Sequence, residues 1–123
     1  MSTRPSYKSH PLWNEAMALT KEVYALADRL APLDADLARR LKKLAVTVPA
    51  GVAGAAATGG EERLGHVAAA RAALGELSRE ALALDAAVPA DAEGVRADAG
   101  IARRADSLHR AILFEFGAQG GLS

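Results

Sequence analysis

Histidines and carboxylates are the side chains of this sequence that could bind a metal ion. A di-iron site in a helical bundle uses two Glu-x-x-His pairs and two further glutamates, all on inward faces. The sequence contains a single Asp-x-x-His pair, Asp106 with His109, and a wider-spaced pair, Glu62 with His66. Because this set is incomplete, we predict no metal and no cofactor. We expect His109 to be a packed or boundary histidine.

Nucleophilic and acid–base catalysis have equally few candidate residues. Ser78 and Ser107 have no histidine at an obvious partnering position, and neither lies in a nucleophile elbow. Glu76 and Glu80 lie one turn apart on a predicted helix, and a pair of carboxylates can transfer protons. We favour a structural role, in which Glu76 pairs with Arg71 or with a basic group on a neighbouring helix. The sequence therefore predicts a protein that is not an enzyme.

A short basic run is the best candidate for a binding surface. Its residues are Arg39, Arg40, Lys42 and Lys43, and they project onto one helical arc opposite Leu37, Leu41 and Leu44. Four cations on one arc could contact the phosphates of nucleic acid. The alternative is a solvated face with ion pairs, for which Asp28, Asp34 and Asp36 are close in sequence. We favour ion pairs, because 15 basic and 15 acidic residues leave the chain without net charge.

The stretch TVPAGVAGAAATGG at residues 47–60 contains one proline and four glycines. A phosphate-binding loop needs a lysine after its last glycine and a strand before its first, and neither is present. The uncharged run at 44–60 is mostly alanine, glycine and threonine. It is also shorter than the roughly 20 strongly apolar residues that span a membrane. Neither a phosphate loop nor a membrane segment is therefore predicted.

Heptad spacing predicts that this stretch is helical. The apolar positions continue through it at intervals of four and three residues: Leu37, Leu41, Leu44, Val48, Gly51 and Ala55. Pro49 removes the hydrogen bond to the Ala45 carbonyl and should kink the helix. Small residues would let a neighbouring helix approach closely: Ala50, Gly51, Ala53, Gly54 and Ala57. In the turn that follows, Gly59 would be left-handed, or Thr58 and Glu61 would form a capping box.

The composition predicts one helical domain. The chain has 123 residues, half of them hydrophobic, and few are β-branched or aromatic. It has no cysteine, which excludes disulfides and thiolate ligands and suits a cytoplasmic protein. The first residues lack the apolar segment of a secretory signal. We therefore expect a cytoplasmic protein with no membrane association.

Capping residues and prolines delimit four predicted helices. Ser9 or His10 would cap the first helix, and Pro32 would end it. Asp34 or Asp36 would cap the second. The predicted helices are 11–31, 34–58, 60–88 and 91–116, in a bundle of residues 9–116 with a disordered arm at 1–8 and a flexible tail at 117–123. Short turns between amphipathic helices predict an all-α, up-down-up-down antiparallel four-helix bundle.

The first predicted helix has two adjacent apolar seams. One is Leu12, Ala16, Leu19, Val23, Leu26 and Leu30, and the other is Trp13, Met17, Thr20, Tyr24, Ala27 and Ala31. Together they form an arc wider than one partner helix can cover. Either the helix is deeply buried, or it contacts its own bundle on one side and another subunit on the other. The second alternative predicts a subunit interface at Trp13, Met17 and Tyr24.

Three segments within residues 11–88 resemble a family of bacterial four-helix-bundle proteins: LWNEAMALTKEVYALADRL, LARRLKKLAVTVPAGVAG and AARAALGELSREALAL. The family was first described as proteins encoded within intervening sequences of large-subunit ribosomal RNA genes. A related branch is the accessory variability determinant of diversity-generating retroelements. The resemblance implies a four-helix bundle, a ring-shaped homo-oligomer with five-fold symmetry and no enzymatic activity. In the retroelement branch it implies binding to a reverse transcriptase and to nucleic acid.

The chain departs from the family pattern at polar positions. The family typically reads S-[IV]-P-A-N-I-A-E-G where residues 47–55 read TVPAGVAGA, so Gly51 and Gly54 replace asparagine and glutamate. It typically reads A-R-G-S-L-x-E-L where Ala72 and Ala73 replace glycine and serine, although Glu76 is retained. The resemblance thus implies that any role of the lost polar groups is absent here. We predict a self-assembling scaffold or interaction protein, with a nucleic-acid-binding accessory protein as the alternative.

Overall fold

The structure, a computed structural model, describes residues 10–87 and 99–117. They form four α-helices, α1 (Pro11–Leu30), α2 (Ala35–Ala57), α3 (Gly60–Ala87) and α4 (Ala99–Ile112). These described residues include no strand, so the predicted all-α class is confirmed. A π-helical turn, Leu113–Gly117, follows α4 where the sequence predicts regular helix to residue 116. The arm at 1–8, residues 91–98 of the fourth predicted helix and the tail beyond 117 lie outside the described residues.

Side-chain capping starts the first two helices. The Nδ1 atom of His10 accepts a hydrogen bond of 3.1 Å from the Leu12 amide, ahead of the proline at the start of α1. The Oδ1 atom of Asp34 accepts a bond of 3.0 Å from the Leu37 amide at the start of α2. Each cap satisfies an amide that has no partner within its own helix. The sequence left two capping candidates open for each helix. His10 caps α1 and Asp34 caps α2.

The turn between α2 and α3 differs from the prediction. Thr58 ends α2 in an extended conformation, with φ −128° and ψ −179°, and its hydroxyl donates to the Gly54 carbonyl at 2.7 Å. The left-handed residue is Gly60, with a φ of 59°, so the prediction of a left-handed Gly59 is wrong. Thr58 is extended, and the left-handed conformation occurs two residues later, at Gly60.

Contacts between the helix ends show that neighbouring helices are antiparallel. The late part of one helix lies beside the early part of its neighbour: Asp28 of α1 with Lys42 of α2, Glu80 of α3 with Arg40 of α2, and Phe116 after α4 with Arg63 of α3. The rings of His10 and Phe116, 5.6 Å apart, join the start of α1 to the turn after α4. Each helix therefore packs between the two that neighbour it in sequence, with α1 beside α4, as an up-down-up-down four-helix bundle requires.

Apolar residues at heptad spacing supply most of the core. Buried residues include Leu12, Ala16, Leu19, Val23, Leu26 and Leu30 in α1; Leu41, Val48 and Ala55 in α2; Val67, Ala70, Leu74, Leu77 and Ala81 in α3; and Ile101, Ala105, Leu108 and Ile112 in α4. Burial of these side chains stabilises the fold, because apolar surface is removed from water.

Within the described residues, no helix has the length and apolar character needed to cross a membrane.

Pro49 lies inside α2 and leaves the Ala45 carbonyl without its helical donor. The Thr20 hydroxyl of α1 supplies a partial replacement. Its single proton is shared between the Ala45 oxygen, 3.2 Å from Oγ1, and the Ala16 oxygen of its own helix, 2.8 Å away. Thr20 is only 7% exposed, so water cannot readily take over this role. A buried carbonyl without a partner costs about 1–3 kcal/mol. A hydroxyl from the neighbouring helix therefore offsets part of the cost of the proline.

Thr20→Val should lower the free energy of unfolding by about 1–2 kcal/mol, because valine keeps the shape but removes the buried donor that Ala45 and Ala16 share. Urea denaturation followed by circular dichroism measures this loss. Thr47→Val is the control, since the Thr47 hydroxyl donates at 2.9 Å to a carbonyl of its own helix, that of Lys43. We expect a change of less than about 0.5 kcal/mol for the control. Equal losses in both variants would contradict the role of Thr20.

Two glycines of α2 allow α3 to approach closely. A Cβ atom at Gly51 would lie 2.8 Å from both the Ala70 Cβ and the His66 carbonyl oxygen. A Cβ atom at Gly54 would lie 2.5 Å from Cγ of the His66 ring. Both distances are far below van der Waals contact, so the predicted role of small residues in helix packing is confirmed at these two positions. Ala50, by contrast, is exposed to solvent.

Candidate functional site

The second apolar seam of α1 is divided between the core and the surface. Thr20 and Ala27 are buried against the other helices. Trp13 and Met17 are only half-buried, and Tyr24 is 36% exposed. The wide apolar arc predicted from the sequence is therefore covered only in part by the bundle, and its three largest side chains remain accessible to a partner.

The neighbouring surface of α2 extends this accessible area. Lys42 lies beside Tyr24, with its Nζ atom 5.1 Å from the ring centroid. One turn further along α2 is Val46, which is 42% exposed. We call Trp13, Met17, Tyr24 and Val46 the α1–α2 face. This face combines two aromatic side chains and a methionine, residue types that are enriched at the centre of protein interfaces, with one aliphatic side chain.

Three cations of the basic run have acidic partners. Arg39 pairs with Asp36 on the exposed start of α2. Arg40 pairs with Glu80 of α3 at 2.5 Å, and Lys42 pairs with Asp28 of α1 at 2.8 Å. The fourth cation, Lys43, is exposed and has no ion pair within the part of the chain that the structure describes. The acidic partners reduce the positive field that a phosphate backbone would meet.

Glu76 and Glu80, the carboxylates considered for acid–base chemistry, have separate partners. Glu76 pairs with Arg79 on the same helix at 2.5 Å, and Glu80 pairs with Arg40 of α2. The predicted pairing of Glu76 with Arg71 or with a basic group on a neighbouring helix is wrong, because Arg79 lies on the same helix and Arg71 donates to His109. Each glutamate is thus paired with its own arginine.

The histidines are distributed along the bundle. His10 caps α1, His66 lies against Gly54, and His109 accepts a hydrogen bond from Arg71 of α3, with 3.4 Å between Arg71 Nε and His109 Nε2. Ser78 donates to Asp106 Oδ1 at 3.3 Å, also between α3 and α4. Residues 10–87 and 99–117 contain no group of three or more histidines, cysteines and carboxylates that could hold a metal ion.

A groove of about 450 Å³ lies on the surface of α3 beside α4. Its floor is formed by small residues and its rim by charged or polar ones: Ala68, Ala72 and Gly75 below, and Arg71, Glu76, Arg79 and His109 around them. We call this the α3–α4 groove. Sequence reasoning missed it, because it depends on the contact between Arg71 and His109, which are 38 positions apart. The periodic placement of small residues on α3 was its only local signal.

Aromatic and cationic side chains close the opposite end of the bundle from the turn between α1 and α2. Arg63 donates from Nε to the Ala55 carbonyl at 2.9 Å, and its guanidinium lies 5.7 Å from the centre of the Phe116 ring. This bond satisfies a carbonyl in the last turn of α2, where no further helical amide follows.

Comparisons with protein-family models, with curated proteins and with solved structures found no match for this chain.

Proposed function

We propose that this chain is a non-enzymatic, self-assembling scaffold whose subunits associate through the α1–α2 face. The observation that carries the proposal is the accessibility of Trp13, Met17 and Tyr24 on a seam of which only Thr20 and Ala27 enter the core. Aromatic residues dominate the binding energy of many protein interfaces, because they bury a large area with little loss of conformational freedom. A second copy of the chain is the partner we propose.

A ring-shaped assembly requires two different surfaces on each subunit, since a heterologous contact repeats around the ring. The α1–α2 face would be one of them. The resemblance of residues 11–88 to the four-helix-bundle family supports a ring and favours five subunits. The expected particle mass is therefore five times the 12.7 kDa of the chain.

Trp13→Asp and Tyr24→Asp should each dissociate the assembly while leaving the helical content largely intact. Tyr24 lies at the surface of the subunit, and Trp13 is only half-buried where it packs against the edge of the core. Loss of an interface anchor costs about 2 kcal/mol or more, which corresponds to at least about a 30-fold increase in the dissociation constant. Sedimentation equilibrium or light scattering at micromolar concentration measures the mass. Circular dichroism measures the helical content.

Ala25→Asp is the matched control, because Ala25 is exposed on the same helix and does not belong to the α1–α2 face. We expect it to assemble as the wild type does. The proposal is contradicted if the wild-type protein remains a monomer of 12.7 kDa. It is also contradicted if Trp13→Asp and Tyr24→Asp both assemble as the wild type does.

Nucleic-acid binding through the basic run is our second candidate function, with a reverse transcriptase as the partner that the resemblance suggests. Its support is the exposure of Arg39 and Lys43 on the outer side of α2. We rank it below self-assembly because Arg39, Arg40 and Lys42 each have a carboxylate partner. Phosphates would have to compete with those carboxylates for the cations.

A further inference from the structure

Arg71 is a half-buried arginine without a carboxylate partner in the described residues. Its Nε donates to His109, which fixes the guanidinium beside α4 and leaves the two terminal NH₂ groups for other acceptors. The nearby carboxylates have other partners, because Glu76 pairs with Arg79 and Asp106 accepts from Ser78. Arg71 therefore lines the α3–α4 groove as a positioned cation with no ion pair to any residue of 10–87 or 99–117.

The floor of the groove leaves space for a ligand next to Arg71. Ala68 and Ala72 have only methyl side chains, and a Cβ atom added at Gly75 would have a single neighbour, Arg79 Nη1, at 3.7 Å. Arg71 and Arg79 are eight residues apart, about 12 Å along the helix axis, and their long side chains can reach toward a common point. The groove of about 450 Å³ is open to solvent on one side, so a ligand would bind at the surface and remain partly exposed.

We propose that the α3–α4 groove binds a small phosphorylated compound through its phosphoryl group, with Arg71 as the main binding residue and Arg79 as the second. A phosphoryl group carries up to two negative charges and three acceptor oxygens, which match the fork of a guanidinium. Glu76 opposes this binding, because it is the carboxylate on the rim and it holds Arg79. The site does not depend on whether the chain assembles.

The full-length protein should show saturable binding of inorganic phosphate and of ribose 5-phosphate at constant ionic strength. Two-dimensional NMR would follow the amide signals of Ala72 and Gly75, which lie in the floor of the groove. Ribose 5-phosphate should bind at least as tightly as phosphate, and ribose alone should not shift these signals. Binding of phosphate without binding of the ester would overturn the proposed class of ligand.

Substitutions in the rim should change the affinity in opposite directions. Arg71→Gln should weaken ribose 5-phosphate binding by about tenfold or more, because charge-assisted hydrogen bonds are lost. Glu76→Gln should tighten binding severalfold, since it removes a negative charge and releases Arg79. Arg103→Gln is the control, because Arg103 is exposed on α4 outside the groove, and it should change the affinity by less than about twofold.

The proposal is overturned if no saturable shifts occur in the wild type. It is also overturned if Arg71→Gln and Arg103→Gln weaken binding equally, which would indicate general attraction of anions, or if Glu76→Gln weakens it. Circular dichroism checks that Arg71→Gln is folded. If that variant is unfolded, Arg71→Lys replaces it, and a folded lysine variant with wild-type affinity would also contradict the proposal, because lysine retains the charge but lacks the fork.

Discussion

Leu41→Asp is expected to unfold the chain under conditions in which the wild type is folded. The Leu41 side chain is 3% exposed and lines, with Leu77 and Ile101, the space between the helices. An aspartate at this position would be a buried charge without a partner, which is very costly. We expect the free energy of unfolding to fall by about 4 kcal/mol or more, a large part of the roughly 5–15 kcal/mol of a typical domain.

Urea and thermal denaturation followed by circular dichroism measure this effect. Lys43→Asp is the matched control, because Lys43 is exposed on the same helix and has no ion pair in the described part of the chain. An aspartate at 43 should change the free energy of unfolding by less than about 1 kcal/mol. If Leu41→Asp unfolds cooperatively with the same urea and thermal midpoints as the control, α2 does not pack as described.

Gly51→Ala should reverse the usual effect of replacing a helical glycine. In an open helix this substitution stabilises by about 1 kcal/mol, because alanine loses less backbone entropy on folding. At position 51 the added methyl would meet Ala70 Cβ and the His66 carbonyl, both at 2.8 Å. Neither atom can rotate away, so α2 and α3 must move apart. We expect a net loss of about 1–2 kcal/mol of stability.

Gly65→Ala is the control for the unhindered effect. Gly65 also lies inside a helix, α3, and a Cβ atom there would have no neighbour within 4 Å. It should therefore gain up to about 1 kcal/mol of stability. Opposite signs for the two variants in the same denaturation assay would support the close contact of α2 with α3. A gain of stability in both would indicate that this contact is looser than described.

Much of the fold could be predicted because its signals are local. The heptad spacing of Leu12 to Leu30, and of Val67 to Ala81, marks the faces that are buried. Because hydrophobic periodicity is a property of consecutive residues, it survives the interruption at Pro49, and α2 is helical on both sides of it. The wider π turn after Ile112 has no such signal, and the sequence predicts ordinary helix there.

Surface properties were harder to predict, because they depend on other helices. The heptad spacing of the second seam of α1 predicts one continuous apolar surface. In the structure Thr20 is buried in the core, whereas Tyr24 is 36% exposed. Their different environments result from the position of α2 against α1, and this position cannot be predicted from the sequence of α1 alone. The partner of Arg40 is likewise a glutamate of α3, Glu80, rather than one of the aspartates near it in sequence.

Local patterns were sufficient to predict helices, their approximate ends and their apolar sides, because side-chain periodicity and capping act over a few residues. Packing between helices determines the rest of the molecule. It brings the Thr20 hydroxyl to the carbonyl that Pro49 leaves free, and it positions Arg71 beside His109 at the α3–α4 groove. These contacts join residues 25 and 38 positions apart. They depend on the separation and rotation of whole helices, which no local pattern encodes.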